Sequence, residues 1–394
     1  MAPPPRTLWV VANGHGEDAI AAALLGELRT RLPAWRFVAF PVVGAGAAFE
    51  TLDVPILGPR RRLPADGLTL HHPSLLWADL RAGLLAVTLR QVRVLWGGRA
   101  DAVLVVGDVY AQGLATLLRG ARRFVVQPLV SVRLAEGGGR VAWNRAFMER
   151  IRAPERALLR RAEAVYPRDE ATAAWLRERG VGAAHFLGNP MMDGLAGRRL
   201  GGSRPGSTVA LLPGSRAYSE HALRTMALGL AALGDACGPC VAWVAWTRGD
   251  PPTPPEGWAS GAVGDHAGWH HGGVRVGFVA HRFPDVLASA DAVLGTSGTA
   301  QEQAAGLGLP VVAFPVEPAY GSAFLANQQR LLGGALQVVE SDPEAIAAGL
   351  RRALRDPEVR AAARRDGPER LGPPGGTTAI AADVAARLSI DATG

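Results

Sequence analysis

Short runs made almost wholly of apolar residues recur along the chain at 8–12, 37–43, 102–106, 124–126, 164–166 and 185–187, separated by helix-like stretches such as 19–31. A strand exposed on one face alternates apolar and polar residues. A strand with no polar position is buried on both faces, which is the condition of a parallel sheet covered by helices on either side. The same rhythm starts again at residue 208, with apolar runs at 208–212, 241–246 and 292–295. The pattern predicts two doubly wound α/β domains. The length of 394 residues agrees, because a single core stops growing near ~250–300 residues. Residues 196–207, rich in Gly, Arg and Ser, read as a linker between a first domain over 1–195 and a second over 208–394, with the last helix able to pack back on the first domain. In doubly wound sheets ligands bind outside the carboxyl ends of the strands, so two such domains facing a central cleft would place the chemistry there.

Composition removes several function classes. All 42 basic residues are arginine, which excludes a P-loop lysine, a pyridoxal Schiff base and any lysine nucleophile. A net charge of +7 favours an anionic partner: a phosphorylated substrate or an acidic membrane surface. No arginine cluster interleaved with aromatics marks a nucleic-acid motif, so no nucleic acid is expected. The two cysteines lie in Cys237-Gly238-Pro239-Cys240. A redox motif of this form follows a strand and opens a helix, whereas here it follows a helix-like stretch and precedes an apolar strand; it reads as a tight turn. The proline-rich start lacks the apolar segment and cleavage site of a signal peptide, and a cytoplasmic protein is expected.

Two glycine-bearing loops in the second half carry the strongest chemical signal. Leu-Leu-Pro-Gly-Ser-Arg (211–216) and Gly-Thr-Ser-Gly-Thr-Ala-Gln-Glu (295–302) each follow an apolar run and enter an alanine-rich stretch. Glycine lets the backbone approach a ligand, and the first-turn N–H groups and dipole of the following helix favour an anion. A diphosphate fits such a site, held by Gly214, Ser215, Ser297, Gly298 and Thr299, with the planar fork of Arg216 on phosphate oxygens and Glu302 on ribose hydroxyls. Further on, Asn327 and Gln328 are candidates for orienting a donor sugar, or plain polar residues of a helix surface. No Asp-x-Asp motif is present, so neither a metal nor another cofactor is expected, and fixed dipoles and Arg216 must stabilise a leaving diphosphate.

In the first half, Asn13-Gly14-His15-Gly16-Glu17-Asp18 sits between the first strand and first helix. Asn13, Gly14, Gly16 and Asp18 are placed to line an acceptor site, and His15 and Glu17 to act as acid or base; alternatively the loop is a capped βα turn. Asp108, after the strand at 102–106, is a second candidate base or an N-cap. The segment 74–96 is strongly apolar but contains Asp79, Arg81, Arg90 and Arg93, at several kcal/mol in total if these crossed a bilayer. It reads as a core helix or as a helix lying on a membrane surface.

Taken together, Leu-Leu-Pro-Gly-Ser-Arg followed by Glu220, Thr-Ser-Gly-Thr-Ala-Gln-Glu, Ala326-Asn327 and Gly188-Asn189-Pro190 resemble the lipid-A-disaccharide synthase family of GT-B inverting glycosyltransferases. The resemblance implies a GT-B fold, UDP as the nucleotide, a lipid-linked acceptor, a peripheral position on the inner face of the membrane, and roles for Glu17, Asp108, Arg216, Glu302 and Asn327 in catalysis or donor binding. The first loop and the 127–133 stretch depart from the family pattern, which leaves acceptor and donor sugar open. His15 is also similar to a histidine of MurG-type and monogalactosyldiacylglycerol-type glycolipid synthases. A UDP-sugar 2-epimerase of the same fold and a non-catalytic nucleotide-sugar-binding protein are the alternatives.

Overall fold

The computed structural model describes residues 5–61, 77, 79–135, 151–201, 208–215, 218–317 and 320–390, with His15 and Ala135 described by backbone alone. The chain divides into two compact units, 1–191 with 374–394, and 192–373.

The first unit is a five-stranded parallel sheet of order β2-β1-β3-β4-β5, built from β1 (Thr7–Ala12), β2 (Arg36–Pro41), β3 (Ala102–Val106), β4 (Arg122–Gln127) and β5 (Ala164–Pro167). Alternate β1 residues serve two cores. Leu8, Val10 and Ala12 face α1 (His15–Arg31), while Trp9 and Val11 pack with Leu95 and Leu114 on the other side. That two-sided burial is why the middles of the strands carry no polar residue, with Thr7, Arg36, Arg122, Arg123 and Gln127 confined to strand ends. The remaining helices are α2 (Leu84–Gly97), α3 (Val109–Ala115), α4 (Ala153–Leu159) and α5 (Glu170–Glu178).

The second unit is an eight-stranded sheet of order β13-β12-β11-β6-β7-β10-β9-β8. Its elements are β6 (Thr208–Leu212), α6 (Ser219–Cys237), β7 (Cys240–Trp246), β8 (Ala259–Val263), β9 (His266–His271), β10 (Val274–Ala280), α7 (Phe283–Ser289), β11 (Ala292–Gly295), α8 (Gly298–Gly306), β12 (Val311–Ala313), α9 (Ser322–Leu332), β13 (Leu336–Val338), α10 (Pro343–Arg355) and α11 (Pro357–Leu371). The final helix, α12 (Gly376–Ile390), belongs to the first unit. Its Ile380, Val384 and Leu388 enter the core under α1, and its Asp383 accepts a hydrogen bond from the Tyr166 hydroxyl at 2.7 Å.

Four features differ from the sequence-based expectation. Residues 185–187 form no strand: Ala184 makes a single bridge to Val165, and the His185 N–H donates to the Val165 carbonyl at 2.8 Å. The stretch expected as a linker is packed over part of its length, since the Arg198 N–H donates to Asp285 at 2.7 Å and the Leu200 N–H to the Ser289 hydroxyl at 2.8 Å; 202–207 lie outside the described residues. The segment 74–96 is not one helix. Gly83, at φ +97, separates a short helical stretch, described at 77 and 79–81, from α2, and 74–76 and 78 lie outside the described residues. The antiparallel hairpin β8–β9, which extends the second sheet beyond β10, carries Gly, Ala, Ser and His where β-branched residues would have signalled strands.

Candidate functional site

In the second unit β6 and β11 are neighbours, with Leu212 paired to Gly295, so the loops that follow them leave the sheet side by side. Three bonds hold them together. The Thr296 N–H donates to the Leu212 carbonyl at 2.9 Å, its hydroxyl to the Pro213 carbonyl at 3.2 Å, and the Tyr218 hydroxyl to the Thr296 carbonyl at 2.9 Å. Gly214 adopts φ +83, a conformation that favours glycine, and a Cβ there would stand 3.5 Å from the Ser297 Cβ. Ser297 is the N-cap of α8, and its side chain makes no capping bond to that helix. Gly298 sits close to α9, because a Cβ there would stand 3.1 Å from the Phe324 ring.

One turn into α8, Glu302 is buried and accepts a hydrogen bond from the Gln328 amide at 2.9 Å, which joins α8 to α9. Gln301, fully buried, accepts from the Tyr320 hydroxyl. Of the residues expected to hold a donor, the structure therefore gathers Gly214, Ser297, Gly298, Glu302 and Gln328. Ser215 and Thr299 are exposed at the edge of the group. Asn327 is half-buried and accepts from the Arg330 guanidinium at 3.1 Å. Arg216 lies outside the described residues. A further cation, Arg248, follows β7, the strand beside β6, and is steered by the Ser219 hydroxyl at 3.1 Å and the Glu220 carboxylate at 3.9 Å. Tyr218, Gln301, Tyr320 and Arg248 had no signal of their own in the sequence.

The first unit collects acids at the carboxyl ends of β1 and β3. Gly14 caps α1, and a Cβ on it would stand 3.0 Å from the Glu17 carboxylate; around Gly16 the space is open. His15 is the first residue of α1, and its side chain lies outside the described structure. Asp18 is 2% exposed, and neither carboxylate oxygen has a partner among the described residues. Burial, then the Glu17 charge, raise its pKa to about 7.

Asp108 caps α3 and accepts the N–H groups of Tyr110 at 2.9 Å and Ala111 at 3.4 Å; the Asn13 side chain also bonds it. Burial nonetheless raises its pKa above the ordinary carboxylate value. The preceding Gly107 leaves room for Asn13, whose Cβ would be 2.7 Å from a Cβ at that position. Glu155, which sequence reasoning missed, is buried at the start of α4 and accepts the amides of Gln112 at 3.1 Å and Gln127 at 2.7 Å. Among the described residues no group of three or more His, Cys, Asp or Glu is arranged to hold a metal ion.

Parallel-sheet Rossmann-like units in tandem, each with its polar residues at strand carboxyl ends, are the α/β architecture of the GT-B fold. No protein-family model matches the chain, and no curated protein matches it by sequence. Solved structures of this fold do match along nearly the whole length. The chain is similar to MurG of Acinetobacter baumannii at 16% identity, covering 97% of this chain and 100% of that one with a TM-score of 0.58. It is similar to the calicheamicin glycosyltransferase CalG4 at 16% identity, covering 98% of each with a TM-score of 0.60. The UDP-GlcNAc 2-epimerase of Neisseria meningitidis, solved bound to UDP-GlcNAc, matches at 13% identity over 97% of this chain and 99% of that one, with a TM-score of 0.53. At these identities the likeness is one of fold.

Proposed function

We propose that the chain is a glycosyltransferase that moves a sugar from a UDP-sugar to a lipid-linked acceptor with inversion, as the resemblance to lipid-A-disaccharide synthases implies, and, having no Asp-x-Asp motif, without a metal. The observation that carries the reading is the convergence of Gly214 and Ser297, on adjacent strand ends, with the Glu302–Gln328 pair one helical turn away. The backbone N–H groups of α8 and Arg216 receive the diphosphate, and Glu302 receives the ribose hydroxyls. Asp108 or His15 removes the acceptor proton. Arg216 and the loop dipoles take up the charge that develops on the leaving UDP, so turnover persists in a chelator.

The membrane part of the proposal rests on α2. Leu85, Leu89 and Trp96 lie on one face and are 67%, 69% and 59% exposed, with Arg81, Arg90 and Arg93 close by in sequence. No described helix is long and apolar enough to cross a membrane. The acids of the first unit and the match to an epimerase structure also fit a UDP-sugar 2-epimerase, which would release UDP with no acceptor present.

The test is thermal stabilisation by nucleotides. UDP at 100 times its dissociation constant adds about 2.7 kcal/mol, and Arg216→Ala and Glu302→Ala each lose that gain. A folded protein that responds to no nucleotide overturns the reading.

A further inference from the structure

Glu155 is 4% exposed, and among the described residues no arginine is paired with it. Its own helix offers Arg156, but that guanidinium donates to the Ile151 carbonyl at 3.2 Å and lies over Trp175. β4 supplies the neutral Gln127, and the turn before α3 supplies the acid Asp108. A buried acid in such surroundings is costly, and glutamine would fill the same space without the charge. The first-turn position of Glu155 in α4 offsets only part of that cost, so stability is a weak reason to have a carboxyl there.

Its hydrogen bonds show what it organises. The Gln112 amide that donates to Glu155 at 3.1 Å also reaches the Gly107 carbonyl at 3.4 Å. Gln112 in turn donates its N–H to the Asp108 carbonyl at 3.1 Å, and the Gly107 N–H donates to Val126, next to Gln127. Glu155 thus sits where α4, α3 and β4 meet behind the Gly107–Asp108 turn.

We propose that Glu155 is a positioning residue for Asp108: clamped by Gln112 and Gln127, it fixes the turn that carries Asp108 and holds a proton beside it, so that the pair carries one proton between them. The role of Asp108 as base rests on the transferase reading; the pairing does not. Burial, and behind it the Asp108 charge, lift Glu155 to about 7, against the downward pull of its two amide donors. When the one proton of the pair sits on Glu155, Asp108 is the ionised partner. It takes the proton of the acceptor hydroxyl as that oxygen bonds to the anomeric carbon, the bond from that carbon to the diphosphate breaks, and UDP leaves with the electron pair. Glu155 keeps its own proton throughout.

The experiment is a carboxyl ¹³C NMR titration of the ligand-free protein, wild type against Glu155→Gln and Asp108→Asn, joined to a pH–rate profile. The expected result is one glutamate that titrates near neutrality, disappears in Glu155→Gln, and moves to lower pH in Asp108→Asn. In turnover, Glu155→Gln keeps KM and loses the inflection near pH 7, whereas Glu155→Ala, checked for fold by near-UV circular dichroism, lowers kcat by about 100-fold. Absence of the near-neutral glutamate, or its indifference to Asp108→Asn, overturns the proposal. A coupled pair in a protein that turns over no UDP-sugar supports the pairing and overturns the transferase reading.

Discussion

Asp18→Asn should stabilise the first unit, and only at the alkaline end of the pH range. Asp18 is 2% exposed with no described partner for either oxygen, and its pKa rises from 3.8 in the unfolded chain to about 7 in the folded one. An acid raised on folding contributes stability fully below its unfolded value, loses it as pH climbs toward the folded value, and has none of it above. The gap corresponds to about 4 kcal/mol in all, of which about 2.5 kcal/mol is lost between pH 5 and pH 8. Asparagine does not ionise and is spared that loss, although its buried amide costs about 1–3 kcal/mol at every pH. The difference between the two proteins should therefore swing by about 2.5 kcal/mol in favour of the asparagine variant between pH 5 and pH 8. Hydrogen exchange at the β1 and α1 amides reads this in the first unit alone, whatever the second unit does. A difference that stays constant across that range would refute the buried, raised carboxyl. If the variant also loses activity, the instability of Asp18 is one that the site needs.

Other outcomes follow from the same geometry. Tyr166→Phe removes the bond to Asp383 and should cost about 1 kcal/mol, read as earlier exchange in α12. Asp383 itself is held below the ordinary carboxylate value, since the Arg387 and Tyr166 bonds outweigh burial. Its contribution is present above that ordinary value and lost as pH falls through the lowered one, so Asp383→Asn should lower stability at neutral pH and leave a shallower fall on the acid side, the two proteins converging at low pH. Gly214→Ala keeps the fold at a cost of about 1–2 kcal/mol for a side chain at φ +83, and should weaken UDP binding at least tenfold by calorimetry. Leu85→Asp with Leu89→Asp should abolish co-sedimentation with anionic liposomes while leaving UDP binding unchanged; undiminished sedimentation would rule out α2 as the lipid contact.

What could be read in the sequence was what is local. The strands show because β1, past Thr7, and β3 must be apolar at each position to serve two cores, and the loops around Gly214 and Ser297 show because glycine and serine at a strand end have few other uses. Asp108 is visible for the same reason. Glu155 is not: its meaning lies in Gln112 and Gln127, 43 and 28 residues away, and in isolation it is one more acid in a first helical turn. Tyr218 and Gln301 are hidden likewise, since what matters is a carbonyl 78 residues on and a hydroxyl 19 residues on. Gly, Arg and Ser around residue 200 read as a tether because composition says nothing of Asp285 and Ser289, which catch that backbone.

The last helix makes the first unit discontinuous in the chain, with residues 374–394 separated from 1–191 by the whole of the second unit. During synthesis, every residue of the second unit has left the ribosome before the first unit owns its final helix. Until then the α1 surface that will meet Ile380, Val384 and Leu388 stands uncovered. The second unit can mature early, whereas the unit that carries Asp108 waits for α12.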